Sequence, residues 1–88
     1  MKLMENFVLR QVAGSYVVVA VGAASVDFNG MLTLNDSGAL LWRTLEGGAD
    51  RAALLAALTS EYDVDEEQAA RDLDEFLSSL RSAGCLAE

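Results

Sequence analysis

Residues able to do covalent chemistry are few and scattered in this chain. There is no histidine, and the one cysteine, Cys85, stands near the C-terminal end. A thiol becomes a nucleophile when a base or a positive charge lowers its pKa, and no base lies next to Cys85 in sequence, so a packed thiol is expected. One cysteine excludes an internal disulfide, and without histidine the usual zinc ligand sets cannot be assembled from one chain. Both facts fit a reducing cytoplasm. Asp72, Asp74 and Glu75 suggest a carboxylate pair for acid–base work, but Asp72 and Asp74 fall about 200° apart on a helix and read as solvated. The stretch "GGADR" lacks the GxxxxGK[ST] pattern of a phosphate loop and follows a helix, where that motif needs a strand. The sequence therefore supplies few convergent candidates for a catalytic, metal or cofactor site.

Charge narrows the class of partner. Apart from Glu5, Asp27 and Asp36, all of the 14 carboxylates lie beyond Leu45, and the formal net charge is −8. A domain that grips phosphate backbones needs a basic face, so the acidic second half argues against nucleic acid. The run "YVVVAVGAAS" has a signal-peptide flavour, but it follows a polar segment and is too short to span a bilayer; no membrane association is expected. With 88 residues the chain reads as one domain, 1–88, which buries about 60–65% of its unfolded surface and has modest stability.

Two β-branched runs, "FVLRQV" and "YVVVAV", are separated by Ala13, Gly14 and Ser15, a connection of hairpin length, and should pair antiparallel. The second run is apolar on both faces. Helices would cover one face, and a second subunit is a candidate cover for the other, which makes a homodimer an expectation. Residues 22–30 read as a loop with a turn at Asn29-Gly30, and 31–34 as a short third strand. That strand passes into a helix within "GMLTLNDSGALLW" with no loop between. Asn35 is a favoured N-cap, and Asp36 adds negative charge where the helix dipole is positive. Ala39, Leu41, Trp42 and Leu45 give the spacing of a buried face, ended by Gly47-Gly48. Asp50 caps a second helix over 51–62 with Leu54, Leu55 and Leu58 inward. Asp65 and Gln68 form a capping box for a third, Glu66–Ala83, whose stripe centres on Ala69, Leu73, Phe76 and Leu80 with Gly84 as C-cap. The expected fold is α+β and winged-helix-like: a three-stranded antiparallel sheet followed by a three-helix bundle.

The residues Leu34-Asn35-Asp36-Ser37-Gly38-Ala39-Leu40-Leu41-Trp42, then Glu46-Gly47, Leu55, Leu58, Tyr62-Asp63-Val64, Asp72-Leu73, Phe76-Leu77, Leu80 and Gly84, resemble the PqqD family over almost the whole chain. That family takes its name from the pyrroloquinoline-quinone biosynthesis protein D and supplies the peptide-recognition element of many modified-peptide pathways. The resemblance implies a non-catalytic domain without cofactor. It binds the leader of a ribosomally made precursor peptide and presents it to a modifying enzyme, often a radical S-adenosylmethionine protein. It also implies that the leader adds as a strand beside the third strand and against the third helix. Mapped here by helical geometry, the peptide-binding residues are Met31, Leu32, Thr33 and Leu34, facing Ala70, Asp74, Leu77 and Arg81. Topology alone suggests a rival, a winged-helix DNA-binding regulator, which the acidic third helix opposes. A purely structural subunit of a biosynthetic complex is a further alternative, separated from the first by whether the isolated domain binds the precursor.

Overall fold

A computed structural model describes residues 1–5, 7–21 and 32–87. In chain order the elements are β1 (Lys2–Leu3), β2 (Phe7–Val12), β3 (Ser15–Ala20), β4 (Leu32–Leu34), α1 (Asp36–Glu46), α2 (Arg51–Glu61), α3 (Glu66–Ala83) and β5 (Leu86–Ala87). The expected loop over residues 22–30 lies outside the described residues, as does Met31.

Strands β2 and β3 form the hairpin the sequence predicts, with Phe7 opposite Ala20 and Val12 opposite Ser15. The turn is two residues long: Ala13 at φ 50 and Gly14 at φ 83 both take the left-handed conformation. That backbone twist matches a right-handed hairpin and is easy for Gly but strained for Ala. β4 joins the other side of β3, antiparallel, pairing Leu34 with Tyr16 and Leu32 with Val18. The sheet order is β2-β3-β4, so among the described residues β4 is an edge strand.

Alternation then sorts the side chains. Val18 is fully buried, and Phe7, Leu9, Tyr16 and Leu32 pack around the same core from one face of the sheet. Val8, Val17 and Val19 fall on the other face by the period of two. The helices cover the first face. α1 contributes Ala39, Leu41, Trp42 and Leu45, α2 contributes Leu54 and Leu58, and α3 contributes Ala69, Leu73, Leu77 and Leu80. Trp42 is fully buried, and its indole N–H finds no partner among the described residues.

The passage from β4 into α1 rests on one residue. Asn35 has φ −83 and ψ −177, extended backbone that continues the strand, while its side chain accepts a hydrogen bond from the Gly38 amide at 2.8 Å. An N-cap residue normally sits in the β region, so one residue is both the end of the strand and the cap of the helix. Gly38 permits the close fit: a Cβ there would lie 3.2 Å from both Asn35 Oδ1 and Leu34 Cβ.

The remaining helix ends follow the sequence with one difference. Asp50 accepts from the Ala53 amide and Asp65 from the Gln68 amide. The capping box is half formed, because the Gln68 side chain donates forward to Asp72 at 3.0 Å. At the C-terminal end of α3, Gly84 is left-handed, and amides of Gly84 and Cys85 donate to Arg81 and Leu80 carbonyls. This Schellman closure drives Cys85 into the core.

A second, two-stranded sheet was not expected. β1 and β5 pair antiparallel, Leu3 opposite Leu86, extended by hydrogen bonds from Met4 to Cys85 and from Ala49 to Met1. It ties the two ends of the described chain beneath the helices.

Replacing Asn35 by Ala removes the acceptor at the junction and is expected to destabilise the fold by about 0.5–2 kcal/mol. A urea titration checks this; an unchanged midpoint would place the origin of α1's stability elsewhere.

Candidate functional site

The outer edge of β4 does not face open solvent. Between it and α3 runs a groove of about 540 Å³. Leu32, Thr33 and Leu34 form one wall, and Asp72, Glu75, Phe76 and Ser79 of α3 form the other. Leu41 of α1 and Leu58 of α2 lie at its floor, with Asn35, Ser37 and Gly38 at one end. A smaller cleft of about 300 Å³ shares Asn35, Ser37, Leu58 and Asp72 and adds Asp36, Tyr62, Val64 and Ala69. The shared residues place Asp72 at the Asn35 end of the groove. Ser79, absent from the smaller cleft, then lies toward Leu32, so α3 runs along the edge strand in the opposite direction to β4.

The groove pairs an apolar floor with the outward-facing backbone of β4, which among the described residues pairs only with β3. An edge strand turns alternate N–H and C=O groups away from the sheet, and here those groups border Leu41, Leu58 and Phe76. Phe76 is half-buried, so its ring serves both the core and the groove wall. Burial of Cys85 raises its pKa, favouring the inert thiol, and the Cys85 side chain belongs to the core. Among the described residues no helix is long and apolar enough to cross a membrane.

The sequence-derived residues divide. Leu32, Thr33 and Leu34 line the groove. The four positions assigned on α3 do not. Leu77 is 2% exposed and sits in the core. Asp74 turns toward α2, where Arg51 donates to both of its oxygens at 3.0 and 3.1 Å. Ala70 and Arg81 share that side of the helix by the ~100° step, and Arg81 adds its charge to the field at Asp74. At ~100° per residue, the face made by Asp72, Glu75, Phe76 and Ser79 lies roughly opposite the one made by Ala70, Asp74, Leu77 and Arg81. The cause is which flank of the buried arc turns toward the sheet: the Phe76 flank does, and the Asp74 flank turns toward α2. The arc centres on Leu73 and Leu80 with Leu77 inside it, which leaves Phe76 at the margin on the sheet side.

Known proteins supply an independent comparison. The family model described as Coenzyme PQQ synthesis protein D (PqqD) matches residues 9–86. The chain belongs to the PqqD family. Two solved structures share the PqqD-like fold. One is TbiB1 in complex with the TbiA(beta) leader peptide, with a TM-score of 0.78, 24% identity and all of both chains covered. The other is a lasso peptide synthetase B1 complexed with the leader peptide, with a TM-score of 0.76 and 28% identity, covering 99% of this chain and 96% of that one. The comparison with curated proteins found no match.

The placement of the α3 residues gives two expectations. Leu77→Asp puts an unpaired charge in the core of this PqqD domain and should abolish cooperative unfolding; a folded variant with a normal urea transition would mean Leu77 faces solvent. Asp74 is held below the usual carboxylate range, first by its hydrogen bond from Arg51 and then by the charges of Arg51 and Arg81. A depressed folded-state pKa gives stability that is present above about pH 4 and lost as pH falls through the lowered value. The pair is exposed, with side chains 48% and 61% accessible, so the effect is small. Any gap in urea midpoint between the wild type and Asp74→Asn at pH 7 should narrow as pH falls below about 4 and close once the folded-state carboxylate is protonated.

Proposed function

We propose that this chain binds the leader segment of a ribosomally made precursor peptide in the groove between β4 and α3, and presents the rest of that peptide to a modifying enzyme. The groove carries the reading. An extended peptide laid along Leu32, Thr33 and Leu34 satisfies the outward-turned amides and carbonyls of the edge, and its alternate side chains enter the space before Phe76 and Leu58. Backbone pairing supplies affinity for any extended chain, and the apolar floor selects among sequences. The family and the leader-bound lasso peptide synthetase B1, at 28% identity over 99% of this chain, support the same assignment.

The role is non-catalytic. Binding by strand addition needs shape, hydrogen-bond donors and acceptors, and a rigid edge. It needs no nucleophile or general base. The junction at Asn35 holds the edge in place before the peptide arrives, which reduces the ordering that binding must impose. The leader runs antiparallel to β4, continuing the alternation of the β2-β3-β4 sheet.

Two measurements test this. Adding the precursor's leader should slow amide exchange in Leu32, Thr33 and Leu34; protection confined to α2 would overturn the site. Phe76→Ala should weaken leader binding about tenfold or more, from the apolar area its ring covers. Asp74→Asn, on the far side of α3, should leave binding unchanged. Equal effects of the two substitutions would sink the groove as the recognition surface.

A further inference from the structure

The charge of the groove is one-sided. Asp72 and Glu75 stand on its α3 wall, and Asp36 on the adjoining cleft, while neither space is lined by a lysine or arginine. The nearer arginines are engaged elsewhere: Arg51 with Asp74, and Arg71 with Glu67 at 2.7 Å. Among the described residues Glu75 has no hydrogen bond or ion pair, and Asp72 accepts only from the neutral Gln68 amide. These two carboxylates therefore face the groove without a cation of their own.

We infer that the peptide this groove selects carries a lysine or arginine two residues before its apolar anchor. The inference rests on the strand-addition reading above and adds the charge and register of the ligand. The spacing follows from helix and strand geometry. Asp72 and Phe76 are four residues apart on α3, a rise of about 6 Å. Same-face side chains of a strand recur every ~6.6–6.8 Å. A side chain seated before Phe76 thus has its same-face neighbour opposite Asp72, and Glu75, about 4.5 Å along the axis from Asp72, stands between the two positions. Asp72 lies at the Asn35 end of the groove. A peptide antiparallel to β4 enters at that end, so the cation precedes the anchor in sequence. The next same-face residue falls near Ser79, where a small or polar side chain fits. An acidic residue at the first position meets Asp72 and Glu75 as like charges, which rejects it.

The test is selection of random 14-residue peptides by messenger-RNA display on the full, immobilised chain, followed by affinity measurement of selected peptides. Lysine or arginine two positions before an aliphatic or aromatic residue should be enriched. Replacing that cation by glutamine should weaken binding about three- to tenfold at low salt, with the difference shrinking at about 0.5 M salt. In the Asp72→Asn, Glu75→Gln double variant the preference should vanish, the cationic peptide and its glutamine counterpart binding with equal affinity. Two results overturn the inference and leave the groove standing: selected peptides that protect Leu32 to Leu34 from amide exchange without a charge bias, or a cation preference that survives in the double variant. Selected peptides that leave β4 unprotected would overturn the groove itself.

Discussion

The hydrogen bond from the Gly38 amide to the Asn35 side chain organises the functional half of the molecule. Strand and helix usually need a loop between them because their backbone angles differ. Asn35 removes that need by keeping strand angles in its backbone while its side chain satisfies the first turn of α1. The direction of β4 then fixes the start of α1, and α1 carries Leu41 to the floor of the groove and Trp42 to the centre of the core. A Cβ at Gly38 would sit only 3.2 Å from Leu34 and from the cap oxygen, so even alanine there would press on both. A shift at this junction would move the edge strand and the groove floor together, so the binding geometry is a consequence of a cap.

Most of the architecture is legible in the sequence because its signals are local. Asn35, Asp50 and Asp65 each mark a helix start by their own side-chain chemistry, and each makes the predicted bond to the amide three residues on. Gly14 and Gly84 mark reversals that demand a left-handed backbone. The β1–β5 pair escapes such reading, because a two-residue strand has no period to detect and its partner lies at the far end of the chain.

The candidate site is legible on one wall only. β4 could be found because an edge strand is a matter of order along the sheet. The α3 wall depends on which side of a wide apolar stripe turns toward the sheet, and Ala70 and Leu77 on one flank look as apolar as Phe76 on the other. Packing decides it: Leu77 enters the core and Asp74 reaches Arg51 of α2. That leaves Asp72, Glu75 and Ser79 on the groove. These are polar residues that a search for apolar walls passes over, and their cue would have been polarity beside a half-buried aromatic.

The same acids bear on a hazard built into any open sheet edge. An unpaired strand bordered by apolar side chains is a template for a second copy of itself. β4 is only three residues long, which limits what an accidental partner can gain, and Asp72 and Glu75 stand at the rim of the groove beside it. A second copy approaching edge to edge brings the same two carboxylates and the same net charge of −8, so self-pairing sets like charges against each other in a groove with no cation to separate them. A peptide with a positive charge meets no such opposition. The arrangement thus keeps an edge that must stay open for one kind of strand closed to its own, by the sign of the charge at the rim.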